Sequence, residues 1–287
     1  MNPSVEVFWV WDSPTIFISD LHINGGSRDQ VIINNIKSLF DLNEYKKSST
    51  QTSIPSHMVP KRLVLLGDIF DFNLAYSHTI YQKHFAFYMC IKELVLQGIE
   101  IFAFTGNHDP ERSIFLESYL GIQIVNHATI VQIYGSIVRL EHGDLLEPNF
   151  LKRSLCKLVR SPLVCRLARF IPANLMWLLT SKWGTKENSH AGQGSDIPQD
   201  NEQEIHSVIK THWPKLKSQG ISYWVFGHFH RAIAWSESLE HNTSVHTHEQ
   251  NSEPTLSEKP QVFVLGDQVH LYTYLRWDKS GPNLHKF

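Results

Sequence analysis

The chain has 287 residues, of which 42% are hydrophobic and 19% are charged, proportions typical of an ordinary soluble globular protein. Its 26 basic and 28 acidic residues give a formal charge of −2, which argues against a nucleic-acid-binding protein. The length allows one large domain or two small ones, and the order of elements described below predicts a single domain over residues 1–287.

The cysteines and the apolar segments indicate in which cellular compartment the protein is expected. Cys90, Cys156 and Cys165 have no close CxxC spacing, which favours free thiols in a reducing environment. The first twenty residues have no basic start and carry Glu6 and Asp12, so they are not typical of a signal peptide. No run of about 18 apolar residues predicts a spanning helix. We therefore expect a cytoplasmic protein, for which contact with a membrane surface stays open.

Taken in chain order, the first half of the sequence alternates apolar strands with amphipathic helices. Strands are predicted at 15–19, 62–66 and 99–104, and helices at 28–44, 79–97 and 110–119. A polar segment with two prolines, 46–61, is typical of a surface loop. Strands at 122–126, 128–133 and 136–141 follow, and we expect them to be antiparallel. This order predicts an α/β fold, a four-layer α/β/β/α sandwich.

Residues 149–184, called the insertion below, have a different character. Pro162 and Pro172 divide it into three short predicted helices. Its charged residues are all basic: Lys152, Arg153, Lys157, Arg160, Arg166, Arg169 and Lys182. One interpretation is a helical hairpin that packs on the sheet and exposes its lysines to water.

The end of the chain returns to the sheet. The polar segment 185–204 leads into a helix at 202–217, and strands at 231–235 and 261–266 are expected to form a hairpin. The polar loop between these strands carries His241, His246 and His248, which we interpret as solvated histidines because no apolar strand precedes them.

Five short motifs end in side chains that bind metals. Four of them directly follow an apolar run, and the run before the fourth motif is more mixed. The motifs are Asp20-Leu21-His22, Gly67-Asp68-Ile69-Phe70-Asp71, Gly106-Asn107-His108-Asp109, His142-Gly143-Asp144 and Gly227-His228-Phe229-His230. Each alone is an ordinary turn sequence. Their shared place after strands predicts convergence at one edge of a sheet, where open α/β sheets bind ligands.

The ligand types indicate the chemistry. A mixed set of oxygen and nitrogen ligands without thiolate suits Mn²⁺, Fe²⁺ or Zn²⁺. Two such ions about 3.5–4 Å apart can activate water and stabilise charge at phosphorus, so the motifs predict a two-metal hydrolase. His108 could contact the phosphate or donate a proton, and Asp109 could fix its tautomer. Asp71 and Asp144 are expected to orient ligands or loops.

The five motifs resemble those of the calcineurin-like metallophosphoesterase superfamily, over about residues 15–275. The resemblance implies a metallophosphoesterase sandwich with two divalent ions, for which Mn²⁺ is expected. It implies one ion held by Asp20, His22, Asp68 and His230, and a second held by Asp68, Asn107, His142 and His228. It also implies a catalytic site of Asn107, His108 and Asp109.

Within the superfamily, the sequence looks most like UDP-2,3-diacylglucosamine pyrophosphohydrolases of lipid A biosynthesis. The form GDIFDF at 67–72, HGD at 142–144, the basic insertion and VFVLGD at 262–267 carry this resemblance. It implies release of UMP and 2,3-diacylglucosamine 1-phosphate, a lid that holds acyl chains, and peripheral contact with the cytoplasmic face of the inner membrane. Lys157 and Arg160 are the candidates for substrate binding. One departure is His108, where many such enzymes carry arginine.

Three alternatives stay open. A soluble metallophosphoesterase could act on nucleotides, other phosphoesters or phosphoproteins. A non-catalytic scaffold could keep the fold for protein binding, although every expected ligand position is filled. A nuclease could use the same centre, but the net charge argues against it.

Overall fold

The computed structural model describes residues 6–41, 59–76, 78–111, 113–188, 200–237 and 259–287. For residues 181–188, 200 and 201 it describes the backbone alone. Most of the predicted loop 46–61, together with His241, His246 and His248, lies outside the described residues.

Six strands form the first sheet, in the order β12-β11-β2-β3-β4-β5. Their bounds are β2 Thr15–Ile18, β3 Arg62–Leu66, β4 Glu100–Phe104, β5 Gln123–Val125, β11 Thr273–Asp278 and β12 Gly281–Lys286. β2 to β5 are parallel, whereas β11 and β12 run antiparallel to their neighbours. The carboxyl ends of the parallel strands therefore share one edge of the sheet.

Another six strands form the second sheet, in the order β1-β6-β7-β8-β10-β9. They are β1 Trp9–Trp11, β6 Thr129–Ile133, β7 Ser136–Glu141, β8 Tyr223–Phe226, β9 Ile233–Trp235 and β10 Val262–Val264. β7, β8 and β10 are parallel to one another. β9 pairs antiparallel with β10, which confirms the predicted hairpin.

The described part of the chain has six α-helices. They are α1 Ser27–Phe40, α2 Phe85–Leu96, α3 Phe150–Val159, α4 Pro162–Ala168, α5 Ala173–Asn188 and α6 Asp200–Ser218. One cluster joins α1 and α2 to the first sheet, and another joins α6 to the second sheet. A third cluster, with Phe17, Val64 and Val138, fills the space between the sheets. This arrangement confirms the four-layer α/β/β/α sandwich.

Successive side chains of a strand point to opposite faces of its sheet, so each strand can pack against helices on one face and against the other sheet on the other. In β2, Ile16 and Ile18 face the helices while Phe17 faces the other sheet. All four residues of β2 are buried, so the strand reads as a continuous apolar run rather than an alternating one.

Some predicted elements need correction. The segment 122–126 does not join the antiparallel strands that follow it, because β5 pairs parallel with β4 in the first sheet. Only β6 and β7 form the expected antiparallel pair. The helix predicted at 110–119 is a π-helical segment, Phe115–Leu120. The helix predicted from 79 begins as a 3-10 turn, Gln82–His84, before α2. β1 and the hairpin β11–β12 were not predicted.

Three helices, α3 to α5, occupy the insertion. Pro162 stands in the first turn of α4, where its missing N–H costs little. Many apolar side chains here face solvent: Phe150, Leu151, Leu155, Leu158, Leu163, Leu167, Phe170, Leu175, Leu178 and Leu179. Among the described residues, no single helix is long and apolar enough to cross a membrane. Pro162–Ala168 and Ala173–Thr180 pass that test only as a pair, bent by 110°.

The cysteines are free, as predicted. Cys90 and Cys165 are buried and Cys156 is half-buried. Burial raises the pKa of each thiol to about 11, so they are inert thiols rather than nucleophiles.

Candidate metal centre

The predicted ligands follow the carboxyl ends of neighbouring strands. Asp20, Asp68 and Asn107 come after β2, β3 and β4 of the first sheet. His142 follows β7, and the Gly227–His230 motif follows β8 of the second sheet. Because the two sheets pack face to face, these two edges meet at one place.

Two groups of side chains have ligand atoms within 4.8 Å of one another. The first group is Asp20, His22 and His230, and the second is Asp68, His142 and His228. The second is tight, since His142 Nε2 lies 3.2 Å from Asp68 Oδ2. In both groups, residues from distant parts of the chain meet.

Asn107 joins the second group through its neighbour. The backbone N–H of His108 donates to Asp68 Oδ1 at 2.9 Å. The amide oxygen of Asn107 is buried and has no hydrogen-bond partner within the described part of the chain. It is therefore available to a ligand beside Asp68.

The backbone at these positions is strained. Asp20, His22, Asp68, His228 and His230 all have positive φ, between 48° and 71°. Such angles are uncommon for residues other than glycine and cost free energy. Strain of this kind, gathered at one place, is typical of a functional site.

Glycines allow the loops to approach this closely. A Cβ on Gly106 would overlap the carboxylate of Asp68, and a Cβ on Gly227 would overlap Ser19 and Asp20. The glycines of the GD, GNHD and GHFH motifs thus make room for the ligands that follow them.

The residues present fit bound divalent cations. Asp20 Oδ1, His22 Nε2, Asn107 Oδ1 and His142 Nε2 are buried without a hydrogen-bond partner among the described residues. Buried polar atoms are nearly always paired, so these four atoms call for a partner from outside the chain. They are oxygen and nitrogen donors, which suit a transition-metal ion.

The centre brings ionisable groups into close contact. Burial alone would lower the pKa of His142, but the adjacent Asp68 carboxylate raises it to about 10. Burial opposes ionisation of Asp68, yet His142 and His108 hold its pKa well below the ordinary value. Carboxylates ionised inside the protein favour a bound cation.

Protein acceptors orient the ligand histidines. His142 Nδ1 lies 2.7 Å from the carbonyl oxygen of Leu66, and His22 Nδ1 lies 3.4 Å from Asp71 Oδ1. These contacts leave the opposite ring nitrogen for a cation. The predicted role of Asp71 as an orienting residue agrees with this geometry.

Asp267 is a functional candidate that sequence reasoning missed. Its Oδ2 lies 3.0 Å from Nδ1 of both His230 and His270, and its Oδ1 accepts three backbone N–H groups. Burial disfavours the ionised form of Asp267, but hydrogen bonds from these two histidines hold the pKa of its carboxyl group below the ordinary value. The signal was present in the sequence, since Gly266-Asp267 follows the apolar run of β10 closely.

The structure corrects the role predicted for Asp109. Nδ1 of His108 lies 2.7 Å from the carbonyl oxygen of Asp71, so that carbonyl, rather than Asp109, sets the tautomer of His108. Asp109 instead accepts the backbone N–H groups of Gly106, Asp68 and Ile69. Burial and the charge of Asp68 raise its pKa to about 7. It ties two ligand loops together.

The two candidate substrate-binding residues differ. Lys157 is exposed on α3. Arg160 makes four hydrogen bonds, to Thr105 O, Thr105 Oγ1, Asp144 Oδ1 and Asn126 O. Its guanidinium therefore holds the end of α3 against the scaffold, and Asp144 orients it.

Comparison with known proteins agrees with the motifs. No family model matches the chain. A protein of Porphyromonas gingivalis (strain ATCC BAA-308 / W83), named UDP-2,3-diacylglucosamine hydrolase, is 25% identical over 235 residues, 76% of this chain and 80% of that protein. One of the same name from Pseudomonas fluorescens (strain SBW25) is 24% identical over 221 residues, 75% and 78% of the two chains. These relatives confirm the resemblance predicted from the motifs.

Solved structures give a weaker likeness. A protein of unknown function from Aquifex aeolicus matches with a TM-score of 0.34 and 13% identity, over 79% of this chain and 82% of that one. A predicted phosphoesterase from Streptococcus pneumoniae TIGR4 matches with a TM-score of 0.31 and 12% identity, over 92% and 81%.

Proposed function

We propose that this protein is a metal-dependent phosphohydrolase that cleaves the pyrophosphate of UDP-2,3-diacylglucosamine, giving UMP and 2,3-diacylglucosamine 1-phosphate. The observation that carries the proposal is the convergence of two Asp/His groups on buried, unpaired ligand atoms. The choice of substrate is supported by the relatives named UDP-2,3-diacylglucosamine hydrolase.

The centre is proposed to hold two divalent ions, Mn²⁺ by preference. Asp20, His22, Asp68 and His230 hold one ion, and Asp68, Asn107, His142 and His228 hold the other. When bound, such a pair supplies Lewis acidity toward a phosphoryl oxygen and activates water for in-line attack. The role of the chain is to fix the ligand positions, and the strained, buried loops serve this purpose.

His108 is the residue proposed to meet the substrate phosphate. Its side chain is 29% exposed beside Asp68, and its Nε2 lies 4.0 Å from Asp68 Oδ2. Its Nδ1 contacts the carbonyl oxygen of Asp71, and Nε2 is the atom proposed to contact the reacting phosphoryl group. A departing phosphate, with a second pKa of about 6, scarcely needs a proton. Histidine can therefore act there by stabilising charge.

The insertion is proposed to form the lid of a single domain. Its exposed leucines and phenylalanines offer an apolar surface beside the metal centre, to which Arg160 joins them. Exposed Lys157 is proposed to bind substrate phosphate. Arg160 stays a candidate for that role, although its guanidinium already donates to the scaffold.

We also propose that the same surface contacts an anionic membrane from the cytoplasmic side. Apolar side chains next to lysine and arginine suit the boundary between acyl chains and headgroups. A lipid-linked substrate would be met at that boundary.

The substrate can be tested directly by measuring UMP release from UDP-2,3-diacylglucosamine with Mn²⁺. Bis(p-nitrophenyl) phosphate and simple nucleotides serve as comparison substrates. Preference for the acylated substrate supports the proposal. Turnover of the simple phosphoesters alone would instead support the soluble metallophosphoesterase.

A further inference from the structure

Helix α3 is tied to the metal centre at both of its ends. Before its start lies Glu147, which is 5% exposed. Its Oε2 lies 3.7 Å from Nε2 of His228. Sequence reasoning assigned Glu147 no role.

The contact with Glu147 selects a ring nitrogen of His228. Two other ligand histidines direct Nδ1 to a protein acceptor, His142 to Leu66 O and His230 to Asp267. In His228 the pattern is reversed, because Nε2 faces Glu147. Nδ1 is therefore the atom left to meet a cation beside Asp68 and His142.

Glu147 is in turn connected to the first turn of α3. Arg153 donates to its carbonyl oxygen at 3.1 Å, and its Oε1 accepts the backbone N–H of Asn149 at 3.3 Å. Asn149 caps the helix by accepting the N–H groups of Leu151 and Lys152. A shift of the Glu147 carboxylate is thus transmitted to the helix cap.

The other end of α3 is held by Arg160, whose side chain is only 14% exposed. Its partners Thr105 and Asp144 lie two residues before Asn107 and two residues after His142, respectively. Both ends of α3 therefore contact the segments that carry one ligand set: Asn107, His142 and His228.

We propose that Glu147 and Arg160 are positioning residues that couple occupancy of the second cation position to the order of α3. The inference rests on the proposed function, since it requires that Asp68, Asn107, His142 and His228 bind an ion. A bound ion would hold His228 and the 105–107 and 142–144 segments, and these would hold the helix.

Linkage makes the coupling reciprocal. If ion binding stabilises α3, then a variant that destabilises α3 must weaken ion binding by the same factor. This relation allows two independent readouts, neither of which is catalytic activity: the affinity for Mn²⁺ and the amide exchange of residues 150–159.

The experiment uses the full chain, titrated with Mn²⁺ by calorimetry and followed by hydrogen exchange. The variants are Glu147→Ala, Glu147→Gln and Arg160→Met, with Arg166→Met as the matched control. Arg166 lies exposed on neighbouring α4, so its substitution removes the same charge from the insertion. Exchange in α1, which packs on the first sheet, reports whether each variant is folded.

In the unmodified chain, Mn²⁺ is expected to slow exchange in α3. Glu147→Ala should weaken one class of Mn²⁺ site by about 10–100-fold, the usual effect of removing an outer partner of a metal ligand. Arg160→Met should weaken the same class of site, through Thr105 and Asp144. Protection of α3 by Mn²⁺ should be lost with it. Glu147→Gln keeps an acceptor oxygen, so its Mn²⁺ affinity should lie between those of Glu147→Ala and the unmodified chain. Arg166→Met should match the unmodified chain.

The outcomes separate the two proposals. Two classes of Mn²⁺ site and unchanged α3 protection in folded Glu147→Gln and Arg160→Met would overturn the coupling and leave the proposed function intact. Equal losses in Arg166→Met would reduce the effect to charge alone and also overturn it. Absence of Mn²⁺ binding in the unmodified chain would refute the proposed function itself.

Discussion

The ligand loops and the insertion bury their side chains in opposite ways. In the loops, Asp20 is 0% exposed, Asp68 1% and His142 3%. In the insertion, Phe170 is 82% exposed and Leu151 76%, and none of the α3 residues is buried. The loops are specified by contacts within the chain. The insertion keeps an apolar face that the rest of the described chain does not cover, and such a face is typical of an interaction surface.

Replacing Asp68 tests the loop half of this comparison and should have the largest effect. Asp68 is shared by both proposed ion positions, so Asp68→Ala removes a ligand from each. We expect Mn²⁺-dependent hydrolysis to fall by at least about a thousandfold, or about 4 kcal/mol of transition-state stabilisation. Asp12→Ala, at an exposed carboxylate of the second sheet's edge, is the control. Full activity of Asp68→Ala would refute a hydrolytic metal centre.

Removal of metal should destabilise the fold through the same loops. Unpaired buried ligand atoms are a cost that bound ions relieve. At a hundredfold excess over the dissociation constant, each ion contributes about 2.7 kcal/mol, so chelation should lower the melting temperature by roughly 5–10 °C per ion. Calorimetry with EDTA, followed by Mn²⁺ addition, measures this. A melting temperature that changes neither with EDTA nor with added Mn²⁺ would contradict the proposed sites.

A charge on the insertion tests the other half of the comparison. Leu151 on α3 and Leu96 on α2 are both 76% exposed, so they form a matched pair. If the insertion meets the membrane, Leu151→Glu should weaken binding to anionic vesicles by about 10–100-fold, since burying a leucine is worth about 1.5–3 kcal/mol. Leu96→Glu should change nothing.

Vesicle sedimentation and thermal melting together decide the result. Both variants should keep the melting temperature of the parent, because neither side chain is in the core. Equal loss of binding in the two variants would show that the insertion is not the membrane surface.

The last test concerns His84, a buried histidine outside the ligand set. It stacks on Phe70 with ring centroids 4.3 Å apart, and burial lowers its pKa to about 3. The unfolded chain binds a proton near pH 6.5 and the folded chain does not, so stability declines as pH falls from 6.5 toward 3.

His84→Phe removes the group that takes up a proton on unfolding. The loss of stability between pH 6.5 and pH 3 should therefore be smaller in this variant. Urea unfolding at pH 7 and pH 4.5 measures the difference between the two slopes. Identical loss of stability in both proteins would show that His84 is not neutral in the folded state.

The order of motifs after apolar runs was enough to predict the sandwich and the residues that the structure brings together. This worked because buried strands read as continuous apolar segments and deliver the next residues to one edge. Their role as metal ligands remains a prediction.

Only the tertiary structure decided which partners those residues take. The pairing of β5 with β4, the hold of Asp267 on His230, and the use of Arg160 as an anchor join residues far apart in sequence. Local pattern carries no record of such contacts, because they arise from the packing of two sheets whose spacing and register depend on the whole chain.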